Sequence, residues 1–322
     1  MSRHRVGLAH GFALVTLVGA VGVAGCPAAS AEERAAIVAL HAPNLPFGSP
    51  AERSAWVAKA AAHLEAETGS HFVGRNFARV PDLLREVRSG SVAVAVVDPI
   101  LLVLHARGLV PLFQATGAGG RASFPLAVMG RGVGGLPGLT GETLILPDSA
   151  GAHLALVRAR ALRDEAEPRE VLGRVDVARD ARSAASAVVM GKARAALLPR
   201  AIGAEAGLDL IAEAGEHPLP VLVAAGGAKT PADLEAIRRA WPGVPAPPSI
   251  QGWRPGNPGG EVAALVSDLS AARRRRTPLP AHRPWLSPAG VGVGSGASPR
   301  LPVGVMFVSP PAPPSVRPSE SP

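Results

Sequence analysis

The chain has 322 residues, room for two ordinary domains, and its 47% hydrophobic content is carried by Ala, Val and Leu, with 7 Phe, 4 Trp and no Tyr. Its formal charge of +8 sits at the ends: Arg3 and Arg5 supply +2, the segment from residue 271 onward supplies +6, and the body between is neutral. A neutral body with few aromatics gives no electrostatic or stacking basis for binding nucleic acid, and a single cysteine excludes an intramolecular disulfide.

From the N-terminus, two arginines precede an apolar stretch, Val6 to Gly25, broken by His10 and five glycines, which reads as an export signal rather than a permanent span. The stretch ends in Val23-Ala24-Gly25-Cys26, which resembles a bacterial lipobox, with Cys26 as the lipidated residue. The small residues Ala29-Ser30-Ala31 also suit a rival, ordinary signal cleavage, which would release a soluble protein. Lipid anchoring through Cys26 in the periplasm or cell envelope is the expectation.

Next come a short buried strand over Ala35 to His41, a helix over Pro50 to Thr68 closed by Gly69, and a weak strand near His71 to Phe77. A helix over Pro81 to Ser89 is closed by Gly90 and followed by the β-branched run Val92 to Val97. Strands alternating with helices predict parallel sheets joined by crossovers. The same pattern recurs in Thr143 to Leu146, a helix from Ala150 to about Leu162, Val171 to Val177, a helix from Ala181 to Met190, and Ala195 to Leu198. Two apolar runs, Phe124 to Met129 and Leu219 to Ala225, stand where the chain would cross between two α/β units and back, and are read as hinge strands. Helices over Thr230 to Trp241 and Glu261 to Ala272 would return to the first unit. The expected organisation is a signal at 1–31, a first lobe from 32–123 plus 222–272, a second lobe at 124–221, and a disordered Pro/Arg-rich tail at 273–322.

Several motifs fail in their context. Gly130-Arg131-Gly132-Val133-Gly134-Gly135 satisfies a dinucleotide-type glycine pattern, but no helix start follows it. Lys229-Thr230 lacks the upstream glycine spacing of a nucleotide-binding loop. The nine histidines show no His-x-x-x-His spacing, so neither a metal site nor a cofactor is expected, and no nucleophile elbow appears. No enzymatic step is expected.

The most informative stretch is Leu146-Pro147-Asp148-Ser149-Ala150-Gly151-Ala152-His153, where a strand end meets a helix start. Free amides there, with the Ser149 hydroxyl and small neighbours, suit a phosphoryl or carboxylate oxygen, but most such residues are structural caps, and on this stretch alone Asp148 or Ser149 capping the helix is the simpler reading. Asp98-Pro99 carries the same ambiguity.

In their order along Ile37 to Ala225, the Leu83 to Pro99 run, Phe124 to Gly130, Leu139-Thr140-Gly141-Glu142-Thr143 and Asp148-Ser149-Ala150-Gly151 resemble the phosphate/phosphite/phosphonate-binding proteins of ABC transporters. The resemblance implies a two-lobed type II periplasmic binding protein fold that closes on a small anionic solute and hands it to a membrane permease. It maps the oxyanion-binding turn onto Ser149, Ala150, Gly151 and His153, and places Asn44, Asp98 and Arg200 at strand exits facing the same cleft. The chain departs from the family in having Ala150 where a second serine is usual and in lacking tyrosine. The alternatives are a lipoprotein sensor or scaffold with a vestigial cleft, or an enzyme on the same fold.

Overall fold

The runs Ala36–His41 (β1) and Val92–Val97 (β3) are almost wholly buried, as parallel strands covered on both faces must be. A computed structural model of the chain describes residues 35–105, 108–149, 152–163, 165–226, 231–256 and 258–274. Cys26, Ala150, Gly151 and the tail from 275 lie outside the described residues.

Between β1 and β3 the chain forms α1 (Pro50–Thr68), β2 (Phe72–Asn76) and α2 (Val80–Arg88). The signals for α1 are local and complete. The Ser49 hydroxyl accepts from the Glu52 amide, Pro50 opens the first turn, the Glu52 carboxylate reaches back to the Gly48 amide, and Gly69 ends the helix at φ 71°. After β3 come α3 (Pro99–His105) and β4 (Val110–Thr116), and the chain then crosses to a second sheet.

That sheet contains β5 (Ser123–Gly130), β6 (Thr143–Pro147), β7 (Arg174–Ala178), β8 (Ala195–Pro199) and β9 (Asp209–Pro218). Its helices are α4 (Ala152–Leu156), continued by a π turn over Val157–Ala161, then α5 (Pro168–Val171), α6 (Ala181–Val189) and α7 (Arg200–Glu205). The chain returns through β10 (Val221–Ala224), α8 (Pro231–Ala240), β11 (Gly252–Pro255) and α9 (Gly260–Arg274).

The first sheet has the order β11-β4-β10-β3-β1-β2 and the second β7-β6-β8-β5-β9. Each has a parallel half (β1, β2, β3; β6, β7, β8) and antiparallel neighbours built from the crossing segments. The two crossings run side by side. The Leu219 amide bonds the Ala122 carbonyl at 2.7 Å, the Ala115 amide bonds the Pro220 carbonyl at 2.9 Å, and Ser123 pairs with Pro218. The expected hinge runs are thus strands β5 and β10, one in each sheet.

Three elements differ from the expectation. The strand foreseen over Val171 to Val177 begins only at Arg174, because Pro168 opens a helical turn and Gly173 must press against the Gly141 backbone, whose oxygen would lie 2.1 Å from any Cβ there. The second-lobe helix after Ser149 is α-helical only to Leu156 before it widens into the π turn. Helix α8 packs on α1, whereas α9 lies against α4, the π turn and β9 as well as α3, and an Arg160–Asp268 ion pair of 2.7 Å ties it to the second lobe. Among the described residues no helix is long and apolar enough to cross a membrane.

Gly74 in β2 lies so close to α1 that a Cβ would stand 2.3 Å from the Val57 carbonyl oxygen. Helix and strand must separate to admit any side chain. Gly74→Ala is therefore expected to cost about 1–3 kcal/mol, the usual penalty of overpacking, read as a lowered urea midpoint.

Candidate functional site

The loop after β1, the exit of β3, the start of α4 and the end of β9 converge beside the crossings. They bring together Asn44, Asp98, His153 and His217, each at most 4% exposed. Asp98 caps α3 by accepting from the Ile100 amide at 3.0 Å. The same carboxylate accepts from Asn44 Nδ2 at 2.9 Å and from His217 Nε2 at 3.1 and 3.2 Å. His153 Nδ1 donates to the Pro147 carbonyl at 3.0 Å, since a carbonyl can only accept, and this leaves Nε2 as a lone pair 3.4 Å from Asn44 Nδ2. The two imidazoles lie 5.9 Å apart, and Phe124 packs against His217 at 5.3 Å.

The electrostatics follow from this burial. Desolvation alone would raise the Asp98 carboxyl, but the charge and hydrogen bond of His217 and the bond from the Ile100 amide outweigh it and hold it well below the ordinary carboxylate range. Desolvation pushes His153 down to about 4, against the upward pull of Asp98. His153 is thus neutral at pH 7. A histidine whose folded value is depressed contributes stability in full above its unfolded value and loses it as pH falls through the folded one. In metal-free buffer the chain is therefore expected to lose stability between pH 6.5 and about 4, the ordinary and the buried values of His153. His153→Gln should flatten that part of a denaturation-midpoint-against-pH curve.

A second set of contacts holds the lobes together around this cluster. Arg53 of α1 donates to the Ala42 and Leu45 carbonyls at 2.9 Å each and stands 3.8 Å from Asp180, the N-cap of α6. The Pro43 carbonyl accepts from the Ala181 amide at 2.9 Å. The loop that carries Asn44 is thus fastened from behind by the first lobe and in front by the second.

Beside the cluster a pocket of about 490 Å³ opens between the lobes. Asn44 and Leu219 contribute from the first sheet's side, Phe124 and Ile202 from the second, and Arg121 and Arg182 bring charge to it. Arg182 is engaged with Glu205 at 3.0 Å, whereas exposed Arg121 has no ion-pair partner among the described residues. Another pocket, of about 410 Å³, lies on the second lobe away from the cluster, near Arg131 and Lys192.

Of the residues singled out in the sequence, Asn44, Asp98 and His153 meet in one place. Ser149 is buried beside them, but its hydroxyl accepts from the His153 amide at 3.1 Å and so caps α4. Ala150 and Gly151 are outside the described residues. Arg200 stands apart from the cluster. Its side chain is half exposed and pairs with Glu213 of β9 at 3.0 Å, because the first turn of α7 points it along the outer face of that edge strand. His217, Arg53, Asp180 and Arg121 were not foreseen. Only His217-Pro218 at the end of an apolar-poor strand offered any signal, and a weak one.

No family model matches the chain, and no curated protein sequence does. Among solved structures it is similar to a binding-protein component of an ABC phosphonate transporter from Pseudomonas aeruginosa, at a TM-score of 0.58 and 12% identity over 76% of this chain and 98% of that one. The chain has the type II periplasmic binding protein fold. A second structure on this fold, a Xanthomonas citri protein bound to ATP, matches at a TM-score of 0.56 and 14% identity over 76% of this chain and all of the other. In type II terms the two crossings are the hinge, and the Asn44–Asp98–His153–His217 cluster is buried beside it, with Asn44 of the four reaching the pocket.

Proposed function

We propose that the chain is an extracytoplasmic solute-binding protein that takes a small organic anion between its lobes and delivers it to an ABC-type permease, held at the membrane through Cys26. The observation that carries this reading is the interlobe pocket at the hinge, with largely apolar walls and the unpaired guanidinium of Arg121 at its edge. The anion belongs at Arg121 rather than at the turn after β6. The ionised Asp98, buried beside that turn, repels a second negative charge there. A phosphonate, sulfonate or carboxylate with a short apolar body fits both the charge and the walls. Closure of the lobes around it would be a hinge motion about the paired crossings.

The test is a thermal-shift screen of the purified chain against those three classes and inorganic phosphate. A ligand at 100 times its Kd adds about 2.7 kcal/mol, a rise of roughly 5–10 °C for a body of this size. Arg121→Ala should abolish the rise and leave the ligand-free melting temperature unchanged, as the side chain is exposed. A well-folded chain that responds to none of them speaks for the sensor or scaffold alternative.

A further inference from the structure

Asp98, His153 and His217 bring a carboxylate and two imidazoles to one buried point, with ligand atoms all within 4.8 Å of one another. We infer that this cluster binds a divalent transition metal ion, with zinc as the reference case, and that the ion ties the two lobes together at the hinge. The inference goes beyond solute binding in the adjacent pocket and does not depend on it.

Four observations support the site. First, His153 is arranged as a metal-ligating histidine is: its Nδ1–H is fixed on the Pro147 carbonyl, so the ring is oriented and Nε2 presents its lone pair to the cluster. The contact that Nε2 makes there, 3.4 Å to Asn44, is a long one. Second, Asp98 Oδ1 and His217 Nε2 stand 3.1 Å apart, close to the roughly 3.4 Å that two ligands of a tetrahedral zinc adopt with bonds of about 2.0–2.1 Å. Only His153 has to move inward.

Third, the cluster leaves a buried acceptor, Asn44 Oδ1, without a partner. Such atoms are rare in folded proteins and call for an explanation. Turning the Asn44 amide about its last torsion would set that oxygen toward the cluster as a fourth ligand, with the amide nitrogen taking the place it leaves. Fourth, no Lys or Arg among the described residues bonds the Asp98 carboxylate, whose neighbours are the two imidazoles, Asn44 and the Ile100 amide.

The donor set selects the kind of metal. Calcium and magnesium take six or more oxygens, many of them water, whereas two imidazoles and a carboxylate in a dry site suit zinc and its neighbours. Because Asn44 and Asp98 leave the first sheet, His153 sits on α4 and His217 ends β9, an ion at this point can be fully ligated only when the lobes are together.

Equilibrium dialysis of the untagged, chelator-stripped chain against Zn²⁺, with elemental analysis, tests this directly, and Co²⁺ absorption reports the coordination geometry. One ion per chain is expected, with the visible bands of a tetrahedral site. His217→Ala and Asp98→Asn should each weaken binding by more than the roughly 10- to 100-fold that a lost supporting partner costs. His71→Ala, an exposed histidine beside Glu65, should leave it unchanged. Circular dichroism checks that each variant is folded. Should an alanine variant not fold, His153→Gln and His217→Gln keep a polar side chain in place and give the same readout. A wild-type chain that takes up no ion, or folded glutamine variants that bind as tightly as wild type, overturns the inference. The solute screen run in chelator separates this outcome from any failure of the solute reading.

Discussion

Replacing Asp98 with alanine is expected to lower the stability of the chain by about 3 kcal/mol or more in metal-free buffer. The carboxylate is the common acceptor for the His217 ring, the Asn44 amide and the Ile100 backbone amide, all buried. Its loss strands three donors, each costing about 1–3 kcal/mol, partly offset because a charge no longer has to be buried. Asp98→Asn keeps an acceptor and a similar shape, so it should cost clearly less. Urea denaturation of both variants in chelator provides the comparison. If alanine and asparagine prove equal and mild, the cluster is not the interlobe lock its geometry indicates.

The second large effect lies in the core of the first lobe. Trp241 is wholly buried in the core between the first sheet, α1 and α8, with its ring edge-on to Trp253 at 5.3 Å and 74°. Its indole N–H has no hydrogen-bond partner, so its contribution is one of packing alone. Trp241→Ala removes the largest fully buried side chain and is expected to cost about 3–5 kcal/mol, a large part of the roughly 5–15 kcal/mol that stabilises a typical domain. Trp241→Phe retains most of the filled volume and should fall well short of that. The same core supports β1 and α1, which hold the Asn44 loop through Arg53. Loss of Trp241 should therefore also weaken any ligand response of the cleft.

What was legible in the sequence follows from where the physics is local. Helix α1 announces itself through Ser49, Pro50 and Gly69, and β1 and β3 through unbroken apolar runs that only a doubly covered strand requires. Strand β9 carries no such mark. It pairs only with β5 at the sheet edge, so Glu213 and Glu216 are tolerated along it and no apolar alternation is imposed. With β9 unread, His217 at its end could not be placed, and the cluster at positions 98, 153 and 217 has no spacing motif to betray it.

The site residues teach a related lesson. Asn44, Asp98 and His153 meet because strand exits and helix starts on one side of a parallel sheet converge. The same rule also singled out Arg200, which the start of α7 directs to Glu213 on the outer face instead. Position at a strand exit brings a backbone to the cleft; the turn that follows decides where the side chain goes.

The central claim, two lobes that close on a solute at the hinge, is tested most directly by a distance across the cleft. Spin labels at Lys59→Cys on α1 and Lys192→Cys on the second lobe, in a Cys26→Ser background, report it by pulsed electron resonance while phosphonates, sulfonates and carboxylates are added in turn. A broad distribution in the free protein that narrows and shortens with one solute class, and does not respond when Arg121 is alanine, is the predicted result. A single distance that no solute changes would mean that the two lobes form one rigid body, and would contradict the account.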